Sequence, residues 1–114
     1  MLKREEILSK ISLKKETVLV EAWGGEVIVS EMSGAMRDSW EQSITQKDVS
    51  GKTVSPRAKL VLYTVVDDQG HRLFNDEDLE ALGKLSSEAL EMICAAALRV
   101  NGLGSAEIDK SKKN

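Results

Sequence analysis

The spacing of apolar residues changes from a period of two to a helical period in the first third of this chain, and that change constrains the fold more than any other feature. Val18 and Val20 alternate with Leu19 and Glu21, and Val27 and Val29 alternate with Ile28 and Ser30, with Trp23-Gly24-Gly25 between the two runs. A period of two puts successive side chains on opposite faces of a strand, and glycine reaches the positive φ of tight hairpin turns. The stretch therefore predicts a β-hairpin. From Ser33 onward the apolar residues recur at helical spacing instead. Strands first and helices afterwards predict an α+β fold, an N-terminal β-hairpin followed by about four helices in a single domain.

Local signals set the helix boundaries. Ser33 is placed to cap a helix running to about Gln46, along which Met36, Trp40 and Ile44 fall on one side. Lys47 to Ser55 has no period and reads as a loop. Ser55-Pro56 is a helix start, because proline at the first helical position loses no hydrogen bond and presets φ. The nearly continuous apolar run within Arg57 to Val66 suits a buried helix or a buried strand equally by its period, and the start signal decides for helix. Asp67 to Gly70 is a turn. Asn75 then caps a short helix whose first turn holds Asp76, Glu77 and Asp78, with Leu79 and Leu82 on its buried side. The last helix runs from Ser87 to Asn101 after a cap at Ser86 or Ser87. Its stripe of Leu90, Ile93, Cys94, Ala97 and Leu98 ends at Asn101-Gly102. Ahead of the hairpin, residues 2 to 11 form a short helix with only partly regular apolar spacing.

Roughly a quarter of the 114 residues are Leu, Val, Ile or Phe, enough for a folded core. We expect one domain over residues 1–104 and a disordered polar tail over 105–114. A single cysteine, no apolar run long enough to span a bilayer and no secretory pattern at Met1 to Glu6 predict a reducing, cytoplasmic setting away from membranes. The net charge of −3 is unevenly spread: residues 1–15 are basic, and Asp67 to Glu91 is strongly acidic. The basic start carries no interleaved aromatic residue and no nucleic-acid motif, so no nucleic-acid partner is expected.

Chemistry finds little to work with. His71 stands beside Asp67 and Asp68, but no other histidine and no local cysteine converge on it as a general base would require. Cys94 lies within an apolar stripe and reads as a small buried hydrophobe. The acids of residues 76–80 lack the alternating order of a calcium loop, and Gly24-Gly25 and Gly102-x-Gly104 lack the spacing and lysine of a phosphate cradle. No catalytic residue, metal site or cofactor is expected. The remaining signal is apolar surface. Two helix faces are candidate protein-binding surfaces, Met36, Trp40 and Ile44 on one, and Leu90, Ile93, Ala97 and Leu98 on the other.

The stretch Arg72-Leu73-Phe74-Asn75-Asp76-Glu77-Asp78 and onward to Ser86, with Ala89-Leu90 and Ala96 to Gly104, resembles the C-terminal half of a known family. That family is the tail assembly chaperones of long, non-contractile-tailed (lambda-like) bacteriophages. The Trp23-Gly24-Gly25 hairpin and the Ser33-Gly34-x-x-Arg37-Asp38 helix start resemble it too. No single motif is diagnostic; the order of all of them carries the resemblance. It implies a non-catalytic protein of the host bacterial cytoplasm that binds the phage tape measure protein, prevents its aggregation, promotes tail tube polymerisation and self-associates. It also implies a longer frameshifted form whose extra domain contacts the tail tube protein. Lys112-Lys113-Asn114 fits an A-rich run on which ribosomes slip, although an ordinary solubilising tail fits as well. A small regulatory nucleic-acid-binding protein and a structural tail component are the alternative readings.

Overall fold

Strand β1 (Lys15–Val20) pairs antiparallel with β2 (Gly25–Ser30), from Lys15 opposite Ser30 to Val20 opposite Gly25. The computed structural model describes residues 1–45 and 55–103. One turn of 3-10 helix, Glu21–Trp23, connects the strands, and Gly24 closes it at φ 68°, where a side chain would be strained. The alternation is kept: Val20 and Val29 are fully buried, whereas Leu19 on the opposite face is exposed.

Among the described residues four α-helices follow the hairpin: α2 (Gly34–Thr45), α3 (Pro56–Thr64), α4 (Leu79–Gly83) and α5 (Ser87–Val100). A five-residue helix, α1 (Arg4–Leu8), precedes it. The caps are those the sequence predicts. Ser33 Oγ accepts from the Met36 amide, Ser55 Oγ from Ala58 and Ser86 Oγ from Ala89. Asn75 forms a full capping box with Asp78 over a 3-10 turn (Asp76–Asp78) that leads into α4.

The helix expected over Arg57 to Val66 needs a correction at its end. It stops at Thr64, and Val65–Val66 form a third strand, β3, antiparallel to β2, with Val65 opposite Val29 and Val66 opposite Ile28. Adjacent β-branched residues lose rotamer freedom in a helix and suit a pleated surface, and here the edge of β2 supplies their backbone partners. The sheet order is β1-β2-β3, so the hairpin is part of a three-stranded sheet.

α5 lies against β1, β2 and α3, and α3 also packs against α2 and α4. The core is the layer between sheet and helices: Val20, Val29, Val61, Val65, Leu82, Leu90 and Ile93, with Ala58, Ala89, Ala96 and Ala97 where backbones come close. The loop expected at residues 47–55, apart from Ser55, and the tail expected at 105–114 lie outside the described residues.

Candidate protein-binding surface

The two helix faces singled out by spacing have different fates. On α5, Leu90, Ile93 and Ala97 are buried, together with Ala89 and Ala96. In this fold they are enclosed within the chain, where α5 packs against β1, β2 and α3. Helical spacing reports that a stripe is apolar and carries no information about what covers it. Leu98, at the margin of the stripe, is half-buried against the core.

On α2 the side of Met36, Trp40 and Ile44 stays partly open. Met36 and Trp40 are half-buried against the core, Ile44 is exposed, and no residue of α2 is buried. Among the described residues its main packing partner is α3. The Lys59 ammonium, carried into the interior by α3, donates to the Ser43 carbonyl in the last turn of α2, where helix carbonyls lack partners and the dipole favours a cation. Arg37 lies 5.9 Å from the centre of the Trp40 ring and pairs with Glu41 at 3.4 Å. The Trp40 indole N–H is enclosed, with no hydrogen-bond partner among the described residues.

A groove of about 360 Å³ adjoins this helix, with Leu13, Met32, Met36, Tyr63 and Val66 among its lining residues. Arg72 stacks 4.9 Å from the centre of the Tyr63 ring while donating to the Leu62 carbonyl and the Asp76 carboxylate, each at 3.1 Å. Sequence reasoning missed this groove, since its residues come from six separate segments and share no period. It also missed the exposed apolar side chains of the N-terminal segment, whose irregular spacing hid them: Leu2, Ile7, Leu8, Ile11 and Leu13 are all exposed.

A family model described as phage tail assembly chaperone matches residues 3–113, nearly the whole chain. The chain belongs to this family. In fold, the chaperone is similar to the solved structure of the bacteriophage HK97 tail assembly chaperone, with a TM-score of 0.56 at 20% identity. The match covers 77% of this chain and 85% of that one. A search of curated proteins gave no match.

Membership points to a non-enzymatic role, and the two residues with catalytic potential have structural environments. The Asp67 carboxylate accepts from the His71 and Gln69 amides, at 3.0 and 2.8 Å. The His71 bond first, with Gln69 adding to it, holds its pKa below the ordinary value. This closes a turn. Cys94 is half-buried near the Arg57 carbonyl, and burial pushes its thiol up to about 11. At pH 8 the native thiolate fraction is then about a thousandth, against about a tenth for an ordinary cysteine of pKa 9. Alkylation by iodoacetamide is expected to be about 100-fold slower in the folded chaperone than in urea. Native labelling at the urea rate would place the thiol in water. Because the folded thiol keeps its proton to higher pH than the unfolded one, this group's contribution to stability is complete below pH 9 and lost as pH rises through 11.

Proposed function

We propose that this chaperone binds the tape measure protein of its phage, keeps the apolar segments of that long helical protein from aggregating, and promotes tail tube polymerisation around it. The observation that supports this, beyond family membership, is how much large apolar surface the chain leaves open. Ile44 on α2, Leu19 and Trp23 on the hairpin, and the side chains of the N-terminal segment are each more than a third exposed. Exposed apolar side chains of this kind are what a surface that receives a partner helix would use. The work is mass action: binding unassembled partner lowers the free concentration of aggregation-prone segments without any chemistry. Many weak sites along one long partner favour a coat of self-associated copies, since each bound copy raises the effective concentration of the next.

On this reading residues 1–104 are the binding domain, 105–114 a polar tail, and the site of action the host cytoplasm. No helix among the described residues is long and apolar enough to cross a membrane, which suits that setting. A longer frameshifted form would add the contact to the tail tube protein. The test is co-expression with the tape measure protein, scoring its solubility and co-purification. Wild-type chain is expected to keep the partner soluble. Ile44→Asp, at an exposed position, is expected to fold normally and to weaken capture about tenfold. A tape measure protein equally insoluble with and without the chain would end the proposal. Capture that collapses between low and moderate salt would favour nucleic-acid-like electrostatics through the basic N-terminal residues.

A further inference from the structure

α2 and α3 are unequal partners. Six of the nine residues of α3 are buried, whereas α2, packed mainly on α3, buries none of its twelve. Where Met36 and Trp40 pack against the core, donors lack acceptors. Lys59 is 5% exposed, and its ammonium, with three protons to donate, bonds among the described residues only to the Ser43 carbonyl in the last turn of α2. The enclosed Trp40 indole N–H donates to nothing among the described residues. Buried polar groups are almost always paired, so each unmet donor raises the free energy of this closed arrangement. The two ends of α2 also differ. Its start is fixed, since Met32 is buried with its amide held by Asn101, and Ser33 caps the first turn. Its last turn is hydrogen-bonded to α3 only through Lys59 among the described residues.

We infer that α2 is a jaw, hinged after Met32 and latched at Ser43 by Lys59, that opens to admit a helix of the partner between α2 and α3. This rests on the tape measure binding proposed above and names its site. The unmet donors identify the occupant: a helix apolar on two sides, with carboxylate or amide side chains among its apolar residues. The Met36, Trp40 and Ile44 stripe meets one apolar side of that helix and the core face of α3 meets the other. Its acceptors receive the Lys59 ammonium and the Trp40 indole N–H, as complementarity between a buried cation and an acid requires. Lys59 thus latches the closed state and anchors the partner in the open one. A contact with unmet donors is exchanged for one in which they are paired, and that difference is what lets a partner helix shift the jaw toward open.

Spin labels on Gln42→Cys and Glu88→Cys, exposed positions of α2 and α5, with Cys94→Ala, read the jaw by double electron–electron resonance. α5 packs on α3, so its label marks the place of α3. Labelled chain is mixed with excess unlabelled chain, so that distances within one copy are measured, and tape measure protein is diluted into the mixture from urea. The label-to-label distance is expected to lengthen on capture by about 10 Å, the width of a helix. Trp40→Phe keeps a ring at the same place and has no N–H to donate. It is expected to fold, as circular dichroism checks, and to hold the tape measure protein about fivefold more weakly. Capture with an unchanged distance, or capture by Trp40→Phe at wild-type strength, overturns the jaw and leaves the proposed function standing. A tape measure protein that aggregates equally with and without wild-type chain overturns the proposed function and the jaw with it.

Discussion

Replacing Ile93 by aspartate is expected to abolish folding, whereas the same change at its neighbour Met92 leaves a folded chain. Ile93 has no exposed surface, and Met92 is 39% exposed. An ionised carboxylate at residue 93 would sit in the core between the sheet and α3, away from water. Either the charge is buried unpaired or its pKa rises to keep it neutral, and each costs several kcal/mol. Total stability of a domain this size is about 5–15 kcal/mol, so the cost removes most or all of it. Ile93→Ala calibrates the site. Loss of the transfer term plus a residual cavity is expected to cost about 3 kcal/mol and lower Tm by about 10–20 °C. Far- and near-ultraviolet circular dichroism with thermal melts reads all three variants. A cooperatively melting Ile93→Asp chain would show that the α5 stripe is not core, and would return it to the list of binding faces.

Asn101→Ala is expected to cost about 3 kcal/mol, an unusually large effect for truncating a half-buried polar side chain. Asn101 Oδ1 accepts from the Met32 amide at 2.7 Å, and Nδ2 donates to the Ala97 carbonyl at 2.8 Å and the Ser30 carbonyl at 3.4 Å. One side chain thus ties the last turn of α5 to the exit of β2, just before the Ser33 cap starts α2. Met32 and Ser30 are both buried, so truncation strands their backbone groups away from water, at about 1–3 kcal/mol for each group left unpaired. Asn101→Asp sharpens the test. It keeps the shape and the acceptor but turns a charged oxygen toward two carbonyls. The folded-state pKa of the introduced carboxyl is then raised above its unfolded value near 4. Its protonated form can still donate, so the variant should recover stability below about pH 4 and lose it as pH rises through the folded-state pKa. Urea unfolding at pH 4 and pH 7 measures this. Equal losses at both pH values, or a loss from Asn101→Ala below about 0.5 kcal/mol, would mean that water replaces the clamp.

The division between what sequence and structure each decided follows from the range of the forces. Ser33, Ser55, Asn75 and Ser86 were legible as caps because a capping side chain reaches amides only two or three residues ahead, and the pattern of neighbours contains the whole interaction. The hairpin was legible for the same reason, through period-two spacing and the left-handed Gly24. The order of motifs also placed the chain in its family. Tertiary structure decided the rest. Val65 and Val66 became a strand because β2 offered an edge, and no local pattern in an unbroken apolar run reports such an edge. Asn101 was legible only as a helix stop, since its main partner lies 69 residues earlier in the chain. Lys59 was not legible as an interior residue, since the Ser43 carbonyl that its ammonium bonds to lies on another helix, 16 residues earlier. The two apolar helix faces were told apart for the same cause. Spacing marked both α2 and α5 as apolar, but only packing could show that α5 is enclosed against the sheet and α3, while α2, among the described residues, buries none of its own.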